Sequence, residues 1–247
     1  MNPSPSPATF TSAHGRALIL KILLVVGAVV TGMSLVTEAL SLRFPVPTET
    51  EELSDNVIGA VLALIMFLVA VLEFIIYITT VVFFCMWLHR AYKNLRAFST
   101  WSRLDSSPGW AVGSFFVPFI NLVVPYRAVK EVWEKSWPSD EGLLSAPAAP
   151  ATFPLWWTFW LLSVFAGNLS TRLYFRGDVP ESTQTMVSIL ASFLSIVAAV
   201  FAYLVVDAID KRQEETIGRV NIVRPAGPPP PLSNLPMPEV AAPNNSQ

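Results

Sequence analysis

The residue best placed to do chemistry inside an apolar segment is Glu73, within the run from Asn56 to Leu88. An ionisable side chain at membrane depth is costly and suggests a functional site by default. One interpretation is a carboxylate that handles protons or cations. The other is a protonated side chain that hydrogen-bonds a neighbouring helix through Thr31 or Ser195. The run would extend about 50 Å as a helix, which exceeds the hydrocarbon thickness of a membrane. Its length therefore allows more than one depth for Glu73 in the membrane.

Two further carboxylates, Asp207 and Asp210, follow the last apolar run. We expect them to pair with Arg90, Lys93 or Arg96. Paired acids can also support metal or hydrolytic chemistry, but no other feature of the sequence favours it. With two histidines and a single cysteine in the chain, we expect no metal and no cofactor.

The single cysteine, Cys85, lies in an apolar run, where it either packs inertly or is a site of palmitoylation or redox chemistry. The sequence has no H-E-x-x-H, G-x-S-x-G, phosphate-binding loop or C-x-x-C pattern. This weighs against an enzyme, and we expect no catalytic residue.

The composition indicates a membrane protein, because 53% of the residues are hydrophobic and only 14% are charged. Soluble domains carry about a quarter charged residues. The net charge of -2 argues against a nucleic-acid partner. Runs of about 20 apolar residues predict an all-α bundle of four transmembrane helices. The predicted spans are about 17–40, 60–88, 153–175 and 185–206.

A fifth apolar run, 107–126, decides the topology. If it does not cross, thirteen of the sixteen Lys and Arg residues lie on one side, together with both termini. If it crosses, the division is eight to eight. Because Lys and Arg favour the cytoplasmic side, we expect four spans with both termini cytoplasmic. Pro118 would also break a spanning helix. The run is therefore interpreted as a membrane-dipping hairpin, with a fifth span as the alternative.

Two amphipathic helices flank this run and complete an interfacial region at 89–137. Leu88, Ala91, Leu95 and Phe98 recur at helical spacing before the run, and Pro125 suits the start of the helix that follows it. The cations of both helices either contact anionic lipid headgroups or other anions, or remain solvated. They are Arg90, Lys93, Arg96, Arg127 and Lys130.

The central block resembles the signature of a bacterial membrane family catalogued as "domain of unknown function 4328". The similarity covers about residues 55–216 and implies a multi-span protein of the bacterial inner membrane. It brings no known activity, and we attach no function to His89. The positions that carry it include Arg90, Asn94, Pro108, Gly109, Trp110, Pro118, Asn121, Pro125 and Tyr126.

The predicted organisation is a membrane domain at 16–216 between two disordered tails. The tails, 1–15 and 217–247, are rich in proline and poor in large apolar residues. We expect both to be plain tethers, although PPPPL in the second could bind a proline-reading module.

Three functions remain open. The favoured one is a non-enzymatic protein that organises partners or lipids at the inner face of the membrane. The alternatives are a small oligomeric transporter or channel that uses Glu73, and an enzyme that acts on lipid headgroups. The expected partners are membrane lipids and either a second copy of the chain or another membrane protein.

Overall fold

The computed structural model describes residues 10–44, 57–98, 104–136, 148–176 and 178–223. These residues form six α-helices and two 3-10 turns, with no strand among them. The helices are α1 (His14–Ser41), α2 (Val57–Phe98), α3 (Pro108–Gly113), α4 (Val124–Lys135), α5 (Thr152–Arg176) and α6 (Glu181–Val223). The prediction of an all-helical chain is confirmed.

Three of these helices, α1, α2 and α6, are long and apolar enough to cross a membrane. The 42 residues of α2 would extend about 63 Å, twice the thickness of the hydrocarbon core. The apolar part of α2 ends at Leu88 and that of α6 ends at Val206, and polar turns follow in both. The fourth predicted span forms α5, whose 25 residues include four tryptophans or tyrosines and several polar side chains.

The long helices pack antiparallel in the order α2, α1, α6, α5. α1 packs against α2 at Gly27, where a Cβ atom would make an ordinary van der Waals contact with Ile76 at 3.5 Å. At one end of the row α2 and α5 also meet, where the ring centroids of Phe84 and Trp156 are 6.0 Å apart. The other end of α2 exposes large apolar side chains such as Phe67 and Phe74. Such a continuous apolar surface is typical of contact with lipid.

The buried core lies at the end of the row where α2 and α5 meet. Its largest members are aromatic and aliphatic side chains from five helices. They include Leu20 of α1, Trp87 and Tyr92 of α2, Val129 and Val132 of α4, Phe153 of α5, and Val205 and Ile209 of α6. The apolar stripe predicted at Leu88, Ala91, Leu95 and Phe98 is buried in this core. The short helices α3 and α4 cover it.

The run at 107–126 contains no long helix. Ser107 caps α3 by accepting a hydrogen bond from the Trp110 amide at 3.1 Å, as expected of serine before a helix. Two 3-10 turns follow, and between them Phe119 has a φ of 64° and is 86% exposed. The chain then enters α4, so the run turns back at the end of the row where it began.

The structure describes residues on both sides of the predicted membrane domain. Phe10 packs against Phe98 with ring centroids 5.4 Å apart, and α1 begins at His14. At the other end α6 continues to Val223, and Ile217 packs against the core. Phe10 and Ile217, at positions that the sequence assigned to the tails, therefore pack against the core. The remainder of both tails, 1–9 and 224–247, lies outside the described residues.

Candidate functional site

The polar side chains of the molecule concentrate where α3 and α4 cover the ends of the long helices. We call this region the end layer and define it as residues 10–21, 86–98, 104–136 and 205–219. It contains the five cations singled out in the sequence and the family-like motif. Its geometry decides which side chains are committed to holding it together and which are free to meet a ligand.

Asn94 lies at the centre of the layer and is buried. Its side-chain amide donates to the Thr11 carbonyl at 3.0 Å and to the Gln213 side chain at 3.3 Å. Gln213 in turn donates to the Ala91 carbonyl at 2.9 Å and to the Ser136 hydroxyl at 3.1 Å. Buried amides are costly unless they are satisfied, and these two satisfy one another. The network fixes α2, α6 and the end of α4 in one arrangement.

A second buried group centres on Glu131, which is only 5% exposed. It accepts hydrogen bonds from the Tyr92 hydroxyl, from the Asp105 amide at 2.7 Å and from Lys135 at 2.5 Å. The Ser106 amide donates to the Tyr92 oxygen at 2.9 Å. Burial raises the pKa of Tyr92, and its bond to Glu131 adds to that effect. Glu131 lies on the face of α4 that packs inward, where Tyr92 supplies a buried donor.

The acids after the last apolar run pair with different cations from those predicted. Asp207 binds Lys21 at 2.9 Å and Lys211 at 2.7 Å. Asp210 binds His14 Nδ1 at 2.8 Å and lies 3.6 Å from Lys21. The hydrogen bond from Lys211 lowers the pKa of Asp207.

The predicted pairing of these acids with Arg90, Lys93 or Arg96 is wrong because α1 lies beside α6. It brings its own cations to Asp207 and Asp210. The α2 cations are therefore left to make other contacts.

Of the five predicted lipid or anion contacts, Lys93, Arg96 and Arg127 are exposed. Arg90 is half-buried and donates to the Thr11 carbonyl at 3.2 Å. Lys130 Nζ lies 3.5 Å from Glu134 Oε1, one turn along α4. The layer thus divides these cations into three that face outward and two that are engaged within it.

Arg212 has no role predicted from the sequence, and the structure buries it in this layer. Its guanidinium lies 4.0 Å from the centroid of the Trp133 ring, a favourable cation–π distance. Burial lowers the pKa of Arg212. An aromatic residue on α4 and an arginine near the end of α6 give no local signal of contact, because they are 79 positions apart in the chain.

The motif positions mainly build the hairpin and attach it to its neighbours. Pro125 is buried, and Tyr126 packs on Trp157 with ring centroids 6.4 Å apart. The Trp157 indole donates to the Leu122 carbonyl at 3.0 Å, which ties the hairpin to α5. The backbone amide of Asn121 closes the turn on the Val117 carbonyl at 3.0 Å. Pro118 precedes the strained Phe119, whereas Gly109 and Trp110 lie on the exposed side of α3.

Away from the layer, Glu73 accepts hydrogen bonds from Thr31 at 2.6 Å and from Ser34 at 2.8 Å. Thr31 was one of its two expected partners, and Ser34 takes the place of Ser195. Glu38, the next turn along α1, accepts from Ser188 and Ser192 of α6.

Glu38 is the one acid in the first apolar run, and its sequence position alone predicted no role for it. Its spacing from Thr31 and Ser34 places all three on one stripe of α1. Side chains on this stripe of α1 therefore form hydrogen bonds with α2 on one side and with α6 on the other.

Residues 50–211 match the family described as "Domain of unknown function (DUF4328)". The match covers more than half of the chain and confirms the resemblance seen in the central block. It begins after α1 and ends within α6. Neither the curated proteins nor the solved structures gave a significant match.

The Tyr92 hydroxyl provides a first test of the layer. Tyr92→Phe removes the donor to Glu131 and the acceptor of the Ser106 amide, leaving both buried groups without this partner. We expect a loss of about 1–3 kcal/mol in stability, measured by thermal unfolding in a neutral detergent. Tyr77→Phe is the matched control, because its side chain is exposed on the same helix. Equal melting temperatures for the two variants would contradict a structural role for this hydroxyl.

Glu73 gives a second prediction, which separates packing from transport. Glu73→Gln keeps an oxygen that accepts from Thr31 or Ser34, so we expect nearly unchanged folding and oligomeric state. Glu73→Leu removes the acceptor and should destabilise the α1–α2 contact by about 1–3 kcal/mol. Loss of a proton or cation flux in vesicles containing Glu73→Gln, with its fold intact, would instead assign the carboxylate to transport.

Proposed function

We propose that this protein, which belongs to the DUF4328 family, is a non-enzymatic protein of the bacterial inner membrane that engages and organises anionic lipids through its end layer. The observation that carries the proposal is the set of side chains that the end layer exposes. Exposed Lys93, Arg96 and Arg127 accompany the exposed aromatic side chains of the hairpin, Phe116 and Phe119. A surface that combines cations with large apolar side chains suits the headgroup region of a membrane.

The proposed topology has four spans, with the end layer on the cytoplasmic side. The arrangement of the long helices supports it, because α5 runs antiparallel along α6 and returns the chain to the far end of the row. The start of α1, the end of α6 and the whole of 104–136 share one end. In the four-span topology this end is cytoplasmic, and thirteen of the sixteen Lys and Arg residues of the sequence are assigned to that side.

The hairpin would enter the inner leaflet by its apolar turn. Phe116 is 66% exposed and Phe119 is 86% exposed, and Leu122 and Val123 lie beside them at the surface. Trp110 is also exposed on α3, and tryptophan favours the boundary between lipid and water. A soluble surface would not keep so many large apolar groups together.

The exposed cations would add an electrostatic attraction to this insertion. A Lys or Arg near an anionic leaflet contributes about 1 kcal/mol to the free energy of membrane binding. Three such residues together therefore make a significant contribution. The buried networks of Asn94 and Glu131 hold the helices that carry these cations, which limits the entropy lost when lipid binds. The geometry supports a rigid surface of fixed charge.

The transport alternative depends on the carboxylates of Glu73 and Glu38. Each accepts hydrogen bonds from hydroxyls of a neighbouring long helix. This use of both side chains favours helix packing over an ion pathway.

The topology can be tested with three single cysteines in a Cys85→Ala background. Asp105 and Asp178 are both exposed aspartates, at opposite ends of the helix row, and Glu134 lies on α4 beyond the hairpin. Asp178→Cys should react with a membrane-impermeant thiol reagent in intact cells, whereas Asp105→Cys and Glu134→Cys should be protected. Labelling of Glu134→Cys without Asp105→Cys would mean that the run at 107–126 crosses the membrane.

The lipid proposal predicts that phosphatidylglycerol raises the melting temperature of the protein in neutral detergent more than phosphatidylcholine does. Added salt should reduce this difference, because exposed charges are screened over about 8 Å at physiological ionic strength. Reversal of Arg96 and Arg127 to Glu should remove most of it and leave the lipid-free melting temperature nearly unchanged. Arg43→Glu, at the opposite end, is the control. Equal effects of the two lipids on the wild-type protein would refute the proposal.

A further inference from the structure

An open groove of about 410 Å³ lies between α1, α2 and α3 at the edge of the end layer. Three helices supply its lining: Arg16 from α1; Cys85, Met86 and His89 from α2; Gly109 and Val112 from α3. It sits where the apolar part of α2 gives way to the polar turns. In the proposed topology this is the level of the inner headgroups.

The groove is open at Gly109 and is bordered by a positioned arginine. A Cβ atom at Gly109 would have no other atom within 4 Å, so the space above α3 is unfilled. Arg16 reaches across from α1 and donates to the Met86 carbonyl at 3.3 Å. This contact holds its guanidinium beside the groove while leaving other N–H groups available, since the side chain has five donors.

The lining is divided by chemistry. Cys85, Met86 and Val112 provide an apolar surface, whereas Arg16 and the exposed His89 provide nitrogen donors. An occupant that matches both must carry an anionic, oxygen-rich group attached to an apolar part. Arginine suits such a group because its planar fork matches phosphate oxygens.

The apolar side of the groove continues along α2 into the membrane segment. Ile75, Ile78, Val82 and Met86 succeed one another at helical spacing, and all four are exposed. In the opposite direction the same face continues from His89 to the exposed Lys93. One strip of α2 therefore runs from an apolar track, through the groove, to a second cation.

We infer that this groove binds an anionic phospholipid of the inner leaflet, with its phosphate between Arg16 and His89 and an acyl chain along Ile78 and Val82. The inference rests on the proposed function and deepens it, since it assigns one lipid-binding site within the layer. Charge complementarity selects the headgroup, and continuity with the exposed apolar face of α2 selects a lipid over a soluble anion. Lys93 lies where it would meet further negative charge on the headgroup.

The test is retention of lipid by the purified full-length protein, measured by native mass spectrometry in mixed micelles of phosphatidylglycerol and phosphatidylcholine. The wild-type protein should retain phosphatidylglycerol preferentially. The double variant Arg16→Gln, His89→Gln should weaken retention about tenfold or more, which corresponds to the loss of about 1.4 kcal/mol of binding free energy.

A matched pair at Gly109 tests the groove by shape alone. Gly109→Ala leaves most of the space and should retain phosphatidylglycerol as the wild type does. Gly109→Leu places a large side chain in the groove, and its Cβ atom meets no neighbour within 4 Å. It should reduce retention of phosphatidylglycerol to a similar extent as the double variant. Melting temperatures in lipid-free detergent verify that both variants fold. Undiminished retention by folded Gly109→Leu would overturn the inference.

The variants on the outer surface distinguish this site from the proposed function. If Arg96→Glu, Arg127→Glu abolishes the stabilisation by phosphatidylglycerol while the groove variants behave as wild type, the proposed function stands and the groove assignment falls. If the groove variants alone lose retention, the site is supported. Equal retention of both lipids by the wild-type protein would refute the site and its preference for anionic lipid.

Discussion

The buried hydrogen bonds between Asn94 and Gln213 are the interaction on which the rest of the end layer depends. They join α2 to α6, and through Thr11 and Ser136 they also fix the segment just before α1 and the end of α4. Inside a core, an amide that loses its partner has no water to replace it. The network therefore holds these helices in one arrangement, and the surface that they form is correspondingly rigid.

The position of α1 is the second constraint. This helix lies between α2 and α6, although the DUF4328 match begins after it. Its polar stripe holds Glu73 on one side, and Glu38 extends from the same helix to serines on the other. At the end layer it supplies Lys21 and His14 to the acids of α6 and Arg16 to the groove. The acids at the end of α6 are thereby paired with cations of α1, which leaves Lys93 and Arg96 of α2 facing outward.

An apolar surface and a cationic surface of the molecule meet at the start of the end layer. Before the layer, α2 exposes apolar side chains on most of its circumference; within the layer, the same helix exposes Lys93 and Arg96. The hairpin and the groove lie at this boundary. A phospholipid has the same division, so the boundary is where the protein can meet headgroup and chain together. The lipid proposals follow from this coincidence of chemistry and position.

The sequence by itself determined the helical class, the membrane character, the family and the positions of the long helices, because these depend on local composition and spacing. It also placed the buried stripe of α2 and the helix that follows the hairpin. Tertiary structure alone decided the partners of Asp207 and Asp210, the burial of Glu131 and Arg212, and the groove beside Gly109. The reason is physical: helices that are apolar on nearly every face carry no periodic signal of which helix lies beside them. Ion pairs, buried donors and clefts exist only once that order of packing is set.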